Sequence, residues 1–243
     1  MAPPPLLHTR AAGYRHDSIP AAVAAVRALG RFAVEHTEGP AALEEPLDGY
    51  AAVVFLSTSG DVPTPAGRAR LARHLDTGGG FAGVHAAART EYGRPYYGTL
   101  LGARFTRQPA CRPGRAPVAD PGHPATRHLP AAWEVTDEWY AFDAPVRGGA
   151  RGLLRADETS FEGGGTGADH PLAWCRERGA DGGRVFCTAL GHAEAAYRDP
   201  DFLAHLDGGP AWAAGWCEAA GPIYSPRPAS DVSAVNGLLH PSE

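Results

Sequence analysis

The fold is decided by the stretch Gly78-Gly79-Gly80-Phe81-Ala82-Gly83-Val84-His85-Ala86-Ala87. Gly78 follows an amphipathic run in which Leu71 and Leu75 lie one helical turn apart, so it can close a helix in the left-handed conformation. The apolar residues after the glycines have the length of a buried strand. His85 then stands at a sharp turn into a helix. This is the arrangement of a nucleophile elbow, which directs one side chain and the next backbone N–H groups into a common space.

The first ninety residues predict a β-α-β-β-α-β succession. Strands are expected at residues 6–9, 32–36, 50–56 and 81–84, and helices from Ser18 to Leu29 and from Thr64 to Gly78. Ser18 is predicted to cap the first helix, with Pro20 in its first turn. Segment 50–56 is continuously apolar, as in a strand covered on both faces. The succession therefore predicts a parallel sheet with helices on its faces.

The second half of the chain has a less regular pattern. Residues 92–136 are rich in proline, arginine and glycine and predict an excursion over the sheet edge, with element fragments only at 100–101 and 133–135. Further strands, partly antiparallel, are expected at 152–154, 172–175 and 184–190, and Asp199-Pro200 should begin a last helix. We expect a single domain over residues 1–218 and a tail over 219–243.

Composition and charge narrow the classes of function. The 243 residues carry a formal net charge of −5, and all 22 basic residues are arginines spread along the chain, so nucleic-acid binding is not expected. A membrane span and a secretory signal are not expected either, which predicts a cytoplasmic protein. Cysteines occur without C-x-x-C spacing, so a zinc knuckle or redox pair is not predicted, and Cys187 is expected in the core.

Polar residues collect where the predicted parallel strands end. In an open parallel sheet the ligand crevice lies beyond the carboxyl ends of the strands, so these residues should face one cavity. They are Arg15, His16 and Asp17 after the first strand, Ser57, Thr58 and Ser59 after the third, His85 after the fourth, Asp137, Glu138, Asp169 and His170 before the late strands, and His192 and Glu194 after the last.

His85 and His192 are the leading candidates for catalysis. At a helix start the helix dipole disfavours the imidazolium, which leaves His85 neutral and able to act as a base, an electrophile or a metal ligand. The alternative is a core histidine bonded to a backbone carbonyl. In His192-Ala193-Glu194 the carboxylate could orient the imidazole. The alternative for His192-Ala193-Glu194 is a solvent-exposed strand end without a catalytic role.

The motif Asp137-Glu138-Trp139-Tyr140 places two carboxylates beside two aromatic rings. Alternation along a strand would direct only one carboxylate inward, and Glu138 is the predicted acid or base. One or two aromatic residues are expected under a sugar ring at the site. The candidates are Trp139, Tyr140, Tyr96, Tyr97 and Trp174. Asp169-His170 either supplies another acid or ligand or forms a turn in which Asp169 caps backbone groups.

A metal site is a further hypothesis. His16, His85 and His192, with Glu138, are residue types that suit zinc or a similar divalent ion with an open position for water. No helical H-x-x-x-H pair fixes their geometry, so the sequence leaves the metal open. The triple glycine is not a phosphate loop, because it precedes a strand instead of opening a helix.

Five motifs in the same order resemble the ThuA-like, or trehalose utilisation, family over about residues 6–216. They are Gly13-Tyr14-Arg15-His16-Asp17-Ser18-Ile19-Pro20, the stretch 78–87, Asp137-Glu138-Trp139-Tyr140, Asp169-His170-Pro171-Leu172-Ala173-Trp174 and Ala189-Leu190-Gly191-His192. The resemblance implies a flavodoxin-like, class I glutamine amidotransferase-like three-layer α/β sandwich with a mainly parallel central sheet. In those amidotransferases a cysteine occupies the elbow and a later His-x-Glu completes the triad. Here His85 occupies the elbow, and without a thiolate glutaminase activity is not expected.

The resemblance also implies a substrate class. It points to trehalose-related disaccharides, including 3-keto derivatives made by a partner sugar dehydrogenase. Neutral His85 and Glu138 would suit proton abstraction next to a carbonyl, with backbone N–H groups or a metal stabilising the enediolate. A catalytically silent sugar-binding or partner-binding module on the same scaffold is the alternative. Arg89, Arg94 and Gln108 depart from the family pattern, which bears on substrate identity. The sequence leaves a homo-oligomer open.

Overall fold

A computed structural model describes residues 3–30, 34–143, 146, 149–179 and 182–218. The strands are β1 Pro5–His8, β2 Glu35–Thr37, β3 Ala52–Leu56, β4 Gly80–Val84, β5 Phe105–Arg107, β6 Arg112–Pro117, β7 Ala132–Asp137, β8 Ala141–Phe142, β9 Arg151–Arg155, β10 Pro171–Glu177 and β11 Arg184–Thr188. The α-helices are α1 Ile19–Ala28, α2 Pro65–Asp76, α3 Pro95–Leu101 and α4 Pro200–Ala213. Short 3₁₀ helices cover Pro40–Leu43, His85–Arg89 and Glu194–Arg198.

The main sheet has seven strands in the order β2-β1-β3-β4-β11-β10-β9. The first five are parallel, whereas β10 and β9 are antiparallel to their neighbours. The central strands β3 and β4 are buried at every position, as their continuous apolar runs predict. The predicted fold class is therefore confirmed: an α/β protein with a mainly parallel central sheet.

Close helix packing covers the centre of the sheet. A Cβ atom at Gly80 of β4 would overlap the carbonyl of Ala213 at the end of α4, and one at Gly209 of α4 would overlap the ring of Phe186 in β11. Glycine at both positions lets the α4 backbone approach the sheet more closely than a side chain would allow. This contact fixes α4 across β4 and β11, the two strands whose ends carry His85 and His192.

Several local predictions are confirmed at the helix ends. Thr64 begins α2, its Oγ1 accepting the Gly67 N–H at 3.1 Å, and Gly78 adopts φ +97° after that helix. Asp199 begins α4, its carboxylate accepting two backbone N–H groups. The prediction for Ser18 is wrong: it precedes α1 but makes no side-chain cap hydrogen bond, because its own backbone is already helical at φ −71° and ψ −13°.

The region 92–136 contains more regular structure than its sequence predicts. It holds α3, β5, β6 and most of β7, and β6 and β7 form an antiparallel pair outside the main sheet. The prolines and glycine of β6 conceal a strand, since such residues are tolerated in a two-stranded edge ribbon and not in a central strand. The excursion over the sheet edge is thus an ordered ribbon, and its β7 strand leads directly to Glu138.

The remaining predictions have different outcomes. Cys187 is buried in β11, as expected. No helix in the described part of the chain has both the length and the apolar character needed to cross a membrane. The strand predicted at 32–36 is β2 at Glu35–Thr37, and residues 31–33 lie outside the described residues. The tail predicted over 219–243 also lies outside them.

Candidate active site

Four side chains from distant parts of the chain meet beyond the carboxyl ends of the parallel strands. The His85 Nε2 atom lies 3.0 Å from Nε2 of His16 and 3.7 Å from Oε2 of Glu138. His192 Nδ1 lies 3.3 Å from the same Glu138 oxygen. One nitrogen or oxygen from each of the four residues lies within 4.8 Å of the others. We term His16, His85, Glu138 and His192 the histidine–glutamate cluster.

His85 occupies the elbow that the sequence predicts. Its φ of +53° places it in the left-handed region, directly after β4, and its side chain is fully buried. Nδ1 donates to the carbonyl oxygen of Ala189 at 2.9 Å, because a carbonyl can only accept. The pKa of His85 is held well below 6.5, first by burial and then by His16. A neutral ring protonated on Nδ1 leaves the lone pair of Nε2 facing the cluster.

The physical cause of the neutral ring differs from the predicted one. Only a short 3₁₀ helix, His85–Arg89, follows the elbow, and the next α-helix begins at Pro95. So short a segment carries little of the dipole that a full helix would supply. Burial therefore keeps His85 uncharged, and the helix dipole is a minor contributor.

His16 is held by the loop between β1 and α1. The Ser59 hydroxyl donates to the carbonyl of Tyr14 at 2.6 Å, and Gly13 N–H donates to the carbonyl of Ser59 at 3.2 Å. These bonds tie the loop to the segment that follows β3. Burial, followed by the nearby His192 and Arg89, lowers the pKa of His16 to about 4. His16 therefore enters the cluster as a second neutral imidazole.

His192 is positioned through its backbone by Asp137, the last residue of β7. The buried Asp137 carboxylate accepts from the N–H groups of Gly191 at 2.8 Å, His192 at 3.1 Å and Glu138 at 2.8 Å. Burial raises the pKa of Asp137 to about 6, although these three donors oppose the rise. On the other side of the loop, Tyr197 donates its hydroxyl to the carbonyl of Gly191 at 2.9 Å. Asp137 thus joins the end of β7 to the loop after β11.

Glu138 is the carboxylate of the cluster, as the sequence predicts. Its side chain is 13% exposed. Burial raises its pKa, while His192, Arg89 and hydrogen bonds from Gln108 and Tyr140 lower it. A carboxylate whose pKa is moved towards neutrality is suited to accepting and returning a proton. The same oxygen that faces His85 and His192 is therefore in a position to transfer protons.

Tyr140 is buried above His85. Its hydroxyl lies 3.1 Å from His85 Nε2 and also hydrogen-bonds Glu138. Burial, with the adjacent Glu138, raises the pKa of Tyr140 far above 10, so the hydroxyl keeps its proton. The Tyr140 carbonyl accepts from His170 Nε2 at 2.7 Å, and His170 Nδ1 lies 2.8 Å from Glu158. His170 therefore lies behind Tyr140 and positions it, outside the cluster itself.

Other predicted site residues lie outside the cluster. The side chain of Glu194 pairs with Arg198 at 3.2 Å instead of orienting His192, whose neighbouring carboxylate is Glu138. Asp169 is exposed and pairs with Arg155 at 3.3 Å. Arg15 pairs with Glu38 at 2.8 Å, and Asp17 is exposed. Thr58 is buried and bonds Thr90 at 2.7 Å, while Ser57 is buried at φ +49° after β3.

Most of the predicted aromatic platform is core. Trp139 is fully buried, donates its indole N–H to the carbonyl of Arg112 at 3.0 Å and stacks on Phe161. Trp174 and Tyr97 are buried as well, and their polar atoms bond backbone carbonyls. Tyr96 is 39% exposed and packs beside α2. Tyr140 is the member of that set that reaches the cluster.

Three residues near the cluster were not predicted as site residues. Tyr14 is 63% exposed and places its ring edge-on against His16, with centroids 4.9 Å apart. Arg89 is exposed, packs over the Phe105 ring, and lies close enough to lower the pKa values of His16 and His85. Gln108 bonds Glu138. Arg89 and Gln108 depart from the family pattern, and this departure is the sequence signal that could have identified them as residues near the site.

The strand order and the elbow define an α/β fold of the class I glutamine amidotransferase type. The PurLQS structure from Thermotoga maritima matches with a TM-score of 0.55 at 13% identity, covering 86% of this chain and 98% of that one. The chain itself belongs to the ThuA family, described as trehalose utilisation, whose model matches residues 6–213.

Two ThuA-like proteins of known structure share this fold. The protein from Bacteroides uniformis ATCC 8492 matches with a TM-score of 0.73 at 20% identity, covering 86% of this chain and 90% of that chain. The protein from Parabacteroides merdae ATCC 43184 matches with a TM-score of 0.72 at 20% identity, covering 88% and 90%. A search of curated protein sequences gave no match. At these identities the structural matches establish the fold.

Proposed function

We propose that this protein is an enzyme of carbohydrate metabolism that acts on trehalose-related disaccharides carrying a keto group, with 3-keto derivatives as the leading substrates. The observation that carries the proposal is the convergence of His16, His85, Glu138 and His192 within 4.8 Å of one another at the edge where the parallel strands end. Membership of the ThuA family supports a trehalose-related substrate, since the family is described as trehalose utilisation. The cluster supports acid–base chemistry on it.

Glu138 is the proton-transferring group in this proposal. A hydrogen on the carbon next to a carbonyl becomes acidic when the carbonyl oxygen is stabilised, and a carboxylate with a raised pKa can remove it. The electron pair of the broken C–H bond then moves onto the carbonyl oxygen and forms an enediolate. Tyr140 keeps its proton and lies beside both Glu138 and His85, so it can donate a hydrogen bond to developing negative charge.

Two products are reachable from the enediolate. Return of the proton to the former carbonyl carbon, while the hydroxyl proton of the neighbouring carbon passes to the former carbonyl oxygen, moves the keto group to the neighbouring carbon, which is isomerisation. Expulsion of the glycosidic oxygen from the next carbon, with a proton added to that oxygen, releases one sugar and leaves an unsaturated ketone, which is elimination. Both begin with the same proton removal by Glu138. A dehydrogenase acting on the unmodified disaccharide would have to supply the keto substrate.

Sugar recognition is assigned to residues around the cluster. Tyr14 presents an exposed ring beside His16, and an aromatic face packs well against the C–H groups of a sugar ring. Gln108 offers an amide next to Glu138, and Arg89 offers hydrogen-bond donors near the same carboxylate. These three side chains supply one apolar face and several polar contacts, which is the composition that a hydroxyl-rich ligand requires.

Turnover of defined keto-sugars tests the proposal. Purified protein is incubated with 3-keto-trehalose and related 3-keto-glycosides, and products are followed by NMR. We expect an isomer or a released monosaccharide from the native protein, and a loss of rate of about 100-fold or more with Glu138→Gln. The exposed Glu45 lies elsewhere on the surface, so Glu45→Gln is the matched control and should keep the native rate. His85→Ala should also lose turnover in a sample whose circular dichroism is native.

Two alternatives are separated by the same experiment. Binding of the keto-sugar without any product would favour a sugar-binding module on this scaffold and would contradict the enzyme. Release of ammonia from glutamine would indicate a glutaminase. That activity needs a nucleophilic thiolate at the elbow, where this chain has His85.

A further inference from the structure

We propose that the histidine–glutamate cluster is a divalent metal site, in which His16, His85 and His192 bind one zinc ion and Glu138 lies beside its open position. This inference deepens the proposed function. It rests on that function for the role of the ion at the carbonyl oxygen, but the occupancy of the site is argued from the geometry of the cluster alone.

The orientation of His85 is the first step. Its Nδ1–H group donates to the carbonyl oxygen of Ala189, so its unprotonated Nε2 is directed at the cluster. Metal-binding histidines commonly donate their second ring N–H to a backbone carbonyl or a carboxylate, which fixes the ring and increases the basicity of the binding nitrogen. His85 has this arrangement, and the Ala189 carbonyl comes from the segment that leads to His192.

The spacing of the donor atoms is the second step. In a tetrahedral zinc site with bonds of about 2.1 Å, neighbouring donor atoms lie roughly 3.4 Å apart. The separations here are 3.0 Å between His16 and His85, 3.3 Å between His192 and Glu138, and 3.7 Å between His85 and Glu138. All donor pairs of the cluster lie within 4.8 Å of one another, so shifts of roughly 1 Å or less per atom would bring them to the distances that the ion requires.

The alternative to a metal is a hydrogen bond from His16 to His85. Nε2 of His85 could accept a proton from His16, with the Tyr140 hydroxyl as a second donor. That arrangement leaves the buried Nδ1 atoms of His16 and His192 without a hydrogen bond among the described residues, although Nδ1 of His192 lies 3.3 Å from the Glu138 carboxylate. A cation uses the lone pairs of all three rings together and balances the Glu138 carboxylate. The cluster therefore suits a cation better than a shared proton.

The type of ion and its access follow from the same residues. Three imidazoles with a carboxylate are the donors that zinc prefers, and three protein ligands with an open position are typical of a catalytic site, not of a closed structural one. The side chains of His192 and Glu138 are 28% and 13% exposed, so ions and substrate can enter beside them. At the open position a zinc ion would polarise a substrate carbonyl oxygen, the atom that gains charge when Glu138 removes a proton.

Metal content and direct binding test the site. Full-length protein without a histidine tag is stripped with chelator and titrated with zinc chloride by calorimetry, and with cobalt(II) chloride by visible absorption. We expect one ion per chain, the intense bands of tetrahedral cobalt with nitrogen ligands, and a higher melting temperature with zinc than with chelator. None of these readouts requires turnover, so failure of the sugar assay leaves the metal result standing.

Matched variants identify the ligands. His192→Gln and His85→Gln should each weaken zinc binding by about 100-fold or more, whereas His128→Gln, which replaces an exposed histidine outside the cluster, should bind zinc as the native chain does. Glu138→Gln should keep one zinc ion and lose turnover. Native protein that binds no zinc or cobalt above background, or cluster variants that bind zinc as tightly as the native chain, would overturn the proposal.

Discussion

At the scale of single residues, the candidate site depends on Asp137, a carboxylate that the alternation of side chains along a strand predicts to point away from the site. Alternation along β7 correctly selects Glu138 for the cluster but treats Asp137 as the outward partner, whereas Asp137 is fully buried. It accepts three backbone N–H groups at the junction of two loops, and two of them, from Gly191 and His192, come from more than fifty positions away. Non-local hydrogen bonding of this kind leaves no signal in the local sequence.

Replacing Asp137 with asparagine should loosen His192. The amide nitrogen of asparagine cannot accept the Gly191 N–H, so one buried donor loses its partner and the loop shifts. We expect turnover to fall about 10-fold or more in a folded protein, and the free energy of unfolding to fall by about 1–2 kcal/mol. Steady-state kinetics and urea denaturation measure the two effects.

The control for Asp137→Asn is Asp169→Asn, which changes an exposed carboxylate that pairs with Arg155. Asp169→Asn should leave the turnover rate and the free energy of unfolding near native values. Native turnover in a stable Asp137→Asn protein would show that Asp137 does not position His192.

At the scale of elements, the elbow and the strands around it were predictable, because each has a local signal. The signals lie within ten positions of one another: the glycine after α2, the apolar run of β4 and the small residues after His85. The orientation of Glu194 was not predictable, since a 3₁₀ helix begins there and directs its carboxylate towards Arg198. The stacking of Trp139 on Phe161 also joins segments that local patterns cannot connect.

The close contact between α4 and the sheet gives a test at this scale. Gly80→Ala would place a methyl group against the backbone carbonyl of Ala213, which cannot move without shifting the helix. We expect the free energy of unfolding to fall by about 1–3 kcal/mol in urea denaturation.

Gly152 of β9 is the matched control, because a Cβ atom there meets no other atom within 4 Å. Gly152→Ala should be neutral or slightly stabilising, as alanine restricts the unfolded chain more than glycine does. Equal stabilities for the two variants would show that α4 does not approach β4 as closely as described.

At the scale of the whole molecule, three buried histidines outside the cluster should make stability depend on pH. Burial lowers the pKa of His8 to about 4, of His123 to about 3 and of His205 to about 4. In the unfolded chain these groups titrate near 6.5, so between about pH 4 and 6.5 the unfolded state binds more protons than the folded state. Acidification through this window therefore favours unfolding.

We expect the free energy of unfolding to fall as pH is lowered from 6.5 to 4, with each histidine contributing on the order of 1 kcal/mol per pH unit over its range. Urea denaturation at a series of pH values measures the slope. The slope of the free energy of unfolding against pH reports how many protons the chain takes up on unfolding, and His205→Gln should lower that number by about one. A slope unaffected by this variant would contradict the assignment of His205 as a neutral buried group.

In the whole molecule, a fold shared with glutamine amidotransferases carries imidazoles and a carboxylate in place of a thiol, and we propose that these groups transfer protons next to a carbonyl. The fold class could be predicted because the succession of strands and helices determines it. The convergence of the three histidines could be predicted because they follow parallel strands that end at one edge, whereas Glu138 follows β7 of the separate β6–β7 ribbon. The chemistry performed there depends on distances that only the structure supplies.

The most direct measurement of this claim is exchange of solvent deuterium into a 3-keto-disaccharide. The sugar is incubated with the protein in D₂O, and NMR follows the hydrogens on the carbons next to the carbonyl. Native protein should exchange one of these hydrogens much faster than buffer alone, and Glu138→Gln, checked by circular dichroism, should reduce the rate about 100-fold or more. Exchange at the buffer rate with native protein, or at the native rate with Glu138→Gln, would contradict proton removal by Glu138 next to the carbonyl.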